Sequence, residues 1–271
     1  MNALENKTAF ITGSTLGIGR EMAIAVTNAG ANVVLHGLHN DDAAREAVAA
    51  CNGRAQLITG DLAAELPGCV LEVAKEAVEL APEIDLLVCN AGTYMDQPFL
   101  DMDFATFDRT MKLNVYSQFV LVQHFARRWI KYGIAGRIVI TGSINGRLAE
   151  ETHVAYDTSK GAVESMVRSL AVSLAPMGIR VNGIAPGLFC TPLTEPALKE
   201  PGVLDWMELH TPNGKVPGPE VVGGTTVFLL SDAAEHIHGQ MLFVDGGMSA
   251  WQQPDAPTLW KLARNAMTNE K

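Results

Sequence analysis

The chain is poor in charged residues, particularly basic ones. Charged side chains make up 18% of the 271 residues, and 20 Lys and Arg stand against 30 Asp and Glu, which gives a formal net charge of −10. A charged fraction below the roughly 25% of an average domain leaves enough apolar residues for a large core and excludes a disordered chain. The acidic surplus disfavours binding to nucleic-acid phosphates. We therefore expect a folded protein with no nucleic-acid partner.

Cysteine is scarce, and long apolar runs are absent. The four cysteines, Cys51, Cys69, Cys89 and Cys190, show no paired short spacing, so we predict reduced thiols and no metal site. No apolar run approaches the roughly 20 residues of a membrane span, and the N-terminus lacks the basic flank and apolar run of a signal peptide. We expect a cytoplasmic protein that does not enter the membrane.

Short apolar segments alternate with longer amphipathic ones along the chain. Helical spacing of apolar residues predicts one helix from near Ile18 and another from about Ala155 to Leu174. The brief, β-branched segments between helices are typical of parallel strands covered on both faces. This alternation predicts an α/β fold, a doubly wound Rossmann-type sheet, mostly parallel and seven-stranded, with helices on both faces. The predicted strands are Thr8 to Thr12, Asn32 to Leu35, Ala55 to Thr59, Leu86 to Asn90, Arg137 to Thr141, Arg180 to Ile184 and Met241 to Val244.

A glycine-rich turn joins the first predicted strand to the first predicted helix. Such a turn lets the backbone approach a pyrophosphate, and the N–H groups and dipole of the helix then hold the anion. A tight strand–helix turn without a ligand is the alternative that this turn alone leaves open. Its residues are Gly13, Ser14, Thr15, Leu16, Gly17, Ile18 and Gly19.

Further short motifs follow in a fixed order along the chain. They are Asp61-Leu62, Asn90-Ala91-Gly92, Asn114, Ser143, Tyr156 with Lys160, Pro186-Gly187, and Val244-Asp245-Gly246-Gly247. Together with the TGxxxGxG spacing of the glycine turn, they resemble the short-chain dehydrogenase/reductase family over about residues 7–248. The resemblance implies an NAD(P)-dependent oxidoreductase acting on CH–OH donors, in which hydride passes between a substrate carbon and C4 of nicotinamide.

Tyr156 and Lys160 stand four residues apart and share one face of a predicted helix. A lysine buried beside a phenol favours phenolate, so we expect a lowered pKa for Tyr156. The resemblance implies that Tyr156 exchanges a proton with the substrate oxygen, Lys160 holds the ribose hydroxyls, Ser143 orients the substrate oxygen, and Asn114 helps to hold a relay water. Asp157, where the family commonly has a small residue, is expected to face away, since one helical step turns by about 100°.

The end of the second strand bears on the choice of cofactor. Family members that prefer NAD often place an acid there, and those that prefer NADP often place Arg or Lys there or in the glycine turn. This chain has His36, Gly37 and Leu38, so a 2′-phosphate would lack a fixed cation. NAD is the expected cofactor, with NADP as the alternative. His36 and His39 are candidate contacts, although exposed loop histidines are the simpler interpretation. The resemblance also places at the cofactor Asp61, Leu62, Asn90, Ala91, Gly92, Tyr156, Lys160, Pro186, Gly187, Leu188 and Thr191.

The residues around the predicted catalytic group favour a small polar substrate. A sugar, polyol or hydroxy acid fits them better than a steroid or a long acyl chain. D-3-hydroxybutyrate dehydrogenase is a resembling alternative that Arg147 leaves open. A dinucleotide-sensing protein without turnover is a second alternative, and the presence of both Tyr156 and Lys160 argues against it. The candidate substrate residues are Ser143, Asn145, Arg147, His153 and Tyr156.

No Ser- or Gly-rich linker and no repeat divides the sequence. Residues 1–271 are therefore predicted to form a single dinucleotide-binding catalytic domain. Within it, the proline-rich residues 190–219 are expected to close over the substrate, and residues 249–271 form a tail that includes Trp251 and Trp260. The resemblance implies a homo-oligomer, a tetramer or dimer. The tail packs either on a neighbouring subunit or on its own.

Overall fold

Seven short strands form one sheet in the computed structural model, which describes residues 3–251. The strands are β1 (Thr8–Ile11), β2 (Asn32–Gly37), β3 (Ala55–Thr59), β4 (Leu86–Cys89), β5 (Arg137–Thr141), β6 (Arg180–Pro186) and β7 (Met241–Val244). All six pairings are parallel, in the order β3-β2-β1-β4-β5-β6-β7. The predicted doubly wound parallel sheet is confirmed, with β2 and β6 each two residues longer than expected.

The helices of residues 3–251 lie between these strands and after them. They are α1 (Gly17–Asn28), α2 (Asp42–Ala50), α3 (Gly68–Leu80), α4 (Phe104–Met111), α5 (Ser117–Tyr132), α6 (Val154–Leu174), α7 (Glu195–Leu198), α8 (Val203–Leu209) and α9 (Gly223–Leu230). A π-helical turn, Lys112–Tyr116, joins α4 to α5. Both helices predicted from their periodicity are present, α1 and α6. The expected loop of residues 190–219 carries two short helices, α7 and α8.

Successive residues of each strand point to opposite faces of the sheet, and both faces are covered. On β1, Phe10 packs in a cluster with Phe125 and Trp129 of α5. The next residue, Ile11, packs in the opposite cluster with Met22 and Val26 of α1. The strands are therefore apolar on both sides, as their sequence indicated.

The strand order reverses at β1, and this reversal positions the site. The chain runs from β1 to β2 and β3 on one side of the sheet, then crosses to β4 and onward on the other. Ligands of open α/β sheets bind in the crevice that such a reversal opens at the carboxyl ends of the strands. The segments that follow β1, β4, β5 and β6 all reach this edge.

The described part of the chain ends at Trp251, just after a short turn at Met248–Ala250. Trp260 and the rest of the expected tail, residues 252–271, lie outside the described residues. Within residues 3–251, no helix is both long enough and apolar enough to cross a membrane.

Candidate active site

The glycine turn is held against the end of β4 by a tight main-chain contact. A Cβ on Gly19 would lie 2.1 Å from the Gly13 carbonyl oxygen, and one on Gly13 would lie 2.8 Å from Ala91 Cα. Gly13 also adopts a φ of +60°, which favours glycine. Asn90 Nδ2 donates to the Gly13 carbonyl at 2.9 Å. Side chains at these glycines would fill the space that brings the two strand ends together.

The first turn of α1 offers free N–H groups to an anion. Its N-cap, Leu16, provides no side-chain hydrogen bond, so the first helical N–H groups have no capping acceptor from that residue. Ser14 does not serve as a cap either, because its hydroxyl donates to the Ile11 carbonyl at 2.7 Å and accepts from the His36 N–H at 3.0 Å. The close main-chain approach at the glycines and the N-terminus of α1, which has no side-chain cap, together fit the pyrophosphate of a dinucleotide.

His36 is buried and bonded on both ring nitrogens, so its interpretation as an exposed loop histidine is wrong. Its ring lies 3.1 Å from the Gly60 carbonyl through Nε2 and 3.3 Å from the Gly13 N–H through Nδ1. A carbonyl only accepts, so Nε2 carries the proton and Nδ1 is the acceptor. Burial lowers the pKa of His36 to about 4. The ring is therefore neutral, and it supports the glycine turn by accepting the hydrogen bond from the Gly13 N–H. His39 is exposed.

Most of the remaining predicted cofactor residues lie around the same crevice. The exception is Leu62, which is buried in the core. Thr191 is buried beside Gly17, where a Cβ on that glycine would lie 3.7 Å from Thr191 Cβ. Asp61 pairs with Arg109 at 3.2 Å. Leu62 is 1% exposed and packs in the core below β3. Pro186 ends β6 there, followed by Gly187, Leu188 and Thr191, and Ala91 and Gly92 follow β4.

Gly37 occupies the position where an acid would bind a ribose. A Cβ there would lie 2.5 Å from Thr15 Cγ2, so the glycine turn itself fills the space of any larger side chain. An acidic side chain at this position would therefore require the Thr15 side chain to move.

Lys160 lies buried on α6 and is anchored to the end of β5. Its Nζ donates to the Thr141 carbonyl at 2.9 Å and lies 5.5 Å from the centroid of the Tyr156 ring. Burial lowers the pKa of Lys160 to about 8. Ser143 lies close enough to the Tyr156 phenol to influence its pKa, and the Ser143 oxygen accepts from the Asn145 N–H at 3.1 Å. The structure thus brings three of the four predicted catalytic residues together.

The expected lowering of the Tyr156 pKa is not found. Burial, helped by the charges of Asp157 and Glu150, outweighs the lowering by Ser143 and raises the pKa of Tyr156 to about 12. Lys160 Nζ donates one hydrogen bond to the Thr141 carbonyl and lies 5.5 Å from the centroid of the Tyr156 ring. The protein alone therefore keeps the phenol protonated at neutral pH.

Asn114, the fourth predicted residue, sits in the π-helical turn and is completely buried. Its Oδ1 accepts from the Thr93 N–H at 2.9 Å, and its Nδ2 donates to the Thr93 carbonyl at 2.8 Å and to Ser159 Oγ at 3.0 Å. The side chain therefore joins the segment after β4 to α6. Single π-helical turns are frequent at functional sites.

Asp157 does not face away from the site, which corrects the expectation drawn from helix geometry. Its Oδ1 accepts from Asn145 Nδ2 at 2.8 Å, and its Oδ2 accepts from the Glu150 N–H at 3.0 Å. The loop between β5 and α6 folds back over the first turn of α6, so a residue one step beyond Tyr156 still meets it. Helix periodicity does not describe the path of a neighbouring loop.

Polar side chains extend from Asn145 through Glu150 and His153 to Asp96, which lies in the segment after β4. These four residues are called the polar wall below. His153 contacts the carboxylate of Asp96 through Nε2, and its ring packs edge-on against Tyr94 and Tyr156, with centroids 5.3 and 6.1 Å away. Arg147 does not join these residues, because it pairs with Glu164 at 2.7 Å and stacks over Phe243. Asp96 was not predicted, because only the folded loop brings it to His153.

The comparisons with known proteins agree on one family. A family model described as enoyl-(acyl carrier protein) reductase matches residues 13–249. L-rhamnose 1-dehydrogenase (NAD(P)(+)) of Sphingomonas sp. strain SKA58 is 36% identical over 251 residues, which cover 92% of this chain and 98% of that protein. The 7alpha-hydroxysteroid dehydrogenase of Escherichia coli K12 is 37% identical over 250 residues, 90% and 94% of the two chains.

Solved structures show the same similarity. The crystal structure of a gluconate 5-dehydrogenase from Burkholderia cenocepacia J2315, in complex with NADP and tartrate, has a TM-score of 0.85 and 31% identity. The match covers 92% of this chain and 97% of that one.

The support that His36 gives to the glycine turn predicts a pH-dependent stability. Its pKa is about 4 in the folded protein, against an ordinary 6.5, so the unfolded chain binds the proton first as the pH falls. The stabilisation is complete above pH 6.5 and is lost between pH 6.5 and 4. From pH 7 to pH 5, the wild type should lose about 2 kcal/mol more unfolding free energy than a His36→Gln variant.

Urea unfolding at the two pH values measures this difference. A His39→Gln variant, which removes an exposed histidine from the loop after β2, should behave as the wild type does. Equal losses in the wild type and His36→Gln would contradict the neutral, bonded state of the ring.

Proposed function

Since this chain belongs to the short-chain dehydrogenase/reductase family, we propose that it oxidises a hydroxyl group of a small sugar-type substrate or reduces the corresponding carbonyl. It is an NAD(P)-dependent oxidoreductase acting on CH–OH donors. The observation that carries the proposal is the meeting of Ser143, Tyr156 and Lys160 beside a polar wall at the cofactor crevice. Small-molecule chemistry of this kind needs a positioned acid or base next to a hydride acceptor.

Each residue of the group has a distinct role in this proposal. Nicotinamide, when bound, supplies the hydride acceptor and a positive charge. Tyr156 takes the proton of the substrate hydroxyl, and Ser143, whose oxygen accepts from the Asn145 N–H, donates a hydrogen bond to the substrate oxygen. Lys160 spends one N–H on the Thr141 carbonyl and has two more for ribose hydroxyls. Asn114 holds the segment after β4 in place and contributes to a proton relay.

The raised pKa of Tyr156 indicates that a bound cofactor would have to lower this pKa for Tyr156 to act as a base. In the protein alone the phenol has a pKa of about 12, too high for an efficient base at neutral pH. A positive charge brought next to the phenol favours phenolate and lowers that pKa. An oxidised cofactor held in this crevice would supply such a charge and would favour proton transfer from the substrate to Tyr156.

NAD is the proposed cofactor in preference to NADP. No free cation lies at the end of β2 in the described structure: His36 is neutral and buried, and Arg20 is paired with Glu21 at 2.7 Å. Leu38 is half exposed at the place where a cation would meet a 2′-phosphate. An uncompensated phosphate binds poorly in such a site.

The proposed substrate class comes from the site, because overall identity does not separate the relatives. A sugar dehydrogenase and a steroid dehydrogenase are 36% and 37% identical to this chain. The wall formed by Asn145, His153, Asp96 and Glu150 offers polar atoms, which suit a substrate with several hydroxyl groups better than a rigid apolar one.

The proposal extends to organisation and assembly. Residues 1–271 form one catalytic domain, with residues 190–219 closing over the substrate, and the protein assembles as a homotetramer or dimer in the cytoplasm. Two features support assembly: β7 is an edge strand whose four residues are only partly buried, and Phe104 and Phe119 expose 78% and 48% of their surface. Exposed edges and apolar patches of this kind mark association surfaces.

Replacing Tyr156 by Phe tests the catalytic assignment. Loss of the phenol should lower kcat for sugar oxidation by about a thousandfold, the usual contribution of a general base. Binding of NADH, followed by quenching of tryptophan fluorescence, should stay within about threefold of the wild type, because the glycine turn is untouched. Tyr132→Phe, a change at an exposed tyrosine of α5, is the matched control. A kcat within tenfold of the wild type would remove Tyr156 from this role.

The cofactor preference has its own test. NADH should bind at least about tenfold more tightly than NADPH, as one uncompensated phosphate contact costs about 1.4 kcal/mol or more. A Leu38→Arg variant, which adds the missing cation, should narrow or reverse the preference, whereas Leu38→Met should not. Fluorescence titration with both nucleotides measures the constants. Tighter binding of NADPH by the wild type would contradict the proposal.

A further inference from the structure

Three carboxylates contact Asn145 and His153 next to the Tyr156 ring. Asp157 and Glu150 both accept from Asn145 Nδ2, at 2.8 and 3.0 Å. Asp96 contacts His153, and the other nitrogen of that ring lies 3.2 Å from Glu150. This group of Asp96, Glu150 and Asp157 is called the acidic wall below.

The cations near the acidic wall are committed to other groups in the described structure. Arg147 is held by Glu164 through two hydrogen bonds of 2.9 and 2.7 Å and stacks over Phe243. Lys160 donates one hydrogen bond to the Thr141 carbonyl, and its Nζ lies 5.5 Å from the centroid of the Tyr156 ring. A substrate carboxylate placed beside Asp157 and Glu150 would therefore meet their negative charge, and Arg147, held by Glu164, is not free to offset it.

The hydrogen-bond acceptors of the acidic wall also favour a substrate with hydroxyl groups over one with a carboxylate. Ionised carboxylates only accept hydrogen bonds, and each can accept several. Asn145 is 6% exposed, and because both of its bonds to the carboxylates use Nδ2, its Oδ1 is an acceptor with no partner among the described residues. Hydroxyl groups donate to such acceptors, whereas a carboxylate of the substrate cannot.

We propose that Asp157, with Glu150, is a specificity-determining and positioning residue that selects neutral polyhydroxy substrates over sugar acids. This rests on the proposed function and narrows it from sugar-type substrates in general to uncharged ones. Asp157 acts in two ways. It holds Asn145 with its acceptor oxygen turned to the substrate, and it contributes negative charge that repels a substrate carboxylate.

Matched sugar pairs test the selection. D-glucose and D-glucuronate, or D-galactose and D-galacturonate, differ only in the carboxylate at C6. With the faster pair, the wild type should show a kcat/KM for the aldose at least about 100-fold above that for the uronate. Asp157→Asn, which removes the charge and keeps an acceptor oxygen, should reduce this ratio about tenfold. Asp157→Ala, which also releases Asn145, should in addition raise KM for the aldose more than it lowers kcat.

A pH profile separates this role from a merely structural one. The titratable or charged groups around the Tyr156 phenol are Asp157 and Lys160 on α6, Glu150 and His153 on the preceding loop, and Tyr94 after β4. Because Asp157 and Glu150 raise the Tyr156 pKa, Asp157→Asn and Glu150→Gln should each shift the rise of kcat/KM for oxidation to lower pH. A Glu46→Gln control, which removes an exposed charge on α2, should shift neither the profile nor the aldose-to-uronate ratio.

The outcomes are distinct. A wild type that oxidises the uronate as well as the aldose, or an unchanged ratio and profile in both Asp157→Asn and Glu150→Gln, overturns the inference and leaves the proposed function standing. If Asp157→Asn does not fold, Glu150→Gln alone decides between these results. A wild type that binds NADH and oxidises neither member of any pair overturns the proposed function, and the inference with it.

Discussion

Burial of the Lys160 ammonium at the carboxyl edge of the sheet is the constraint on which the catalytic group depends. Its hydrogen bond to the Thr141 carbonyl ties α6 to the end of β5, and Tyr156 stands one helical turn earlier on the same face. Ser143 follows β5 by two residues and so meets the phenol. A buried charge is costly unless bonded, and here its lowered pKa, about 8, records that cost. The hydrogen bond from Lys160 to the Thr141 carbonyl thus fixes α6, and with it Tyr156, relative to the carboxyl edge of the sheet.

The parts that sequence could predict are those set by local periodicity and short motifs. Alternating apolar segments predicted all seven strands, and the spacing of Tyr156 and Lys160 placed both on one helical face. His36, Asp157 and the pKa of Tyr156 were misjudged because each depends on a partner that sequence spacing does not reveal. His36 needs Gly60 of a neighbouring strand end, and Asp157 needs the loop that folds back over α6. The residues of the candidate site could be named, but their electrostatics required the fold.

The two halves of the crevice use different chemistry. Main-chain groups and neutral side chains surround the glycine turn, and His36 supports the turn without adding charge. On the substrate side, carboxylates dominate, and they raise the pKa of Tyr156 together with burial. Relatives with sugar and steroid activities are equally similar overall. Overall identity to these relatives therefore does not separate the two substrate classes.

A crystal structure of the Tyr156→Phe variant with NAD and the aldose that the wild type oxidises fastest tests the central claim most directly. The reacting hydroxyl should lie about 2.6–3.2 Å from Ser143 Oγ and within reach of the position of the missing phenol oxygen. The carbon that bears it should face C4 of nicotinamide, and the remaining hydroxyls should contact Asn145 and the carboxylates beside it. A sugar bound elsewhere, or a reacting carbon turned away from nicotinamide, would contradict the assignment of this crevice as the active site.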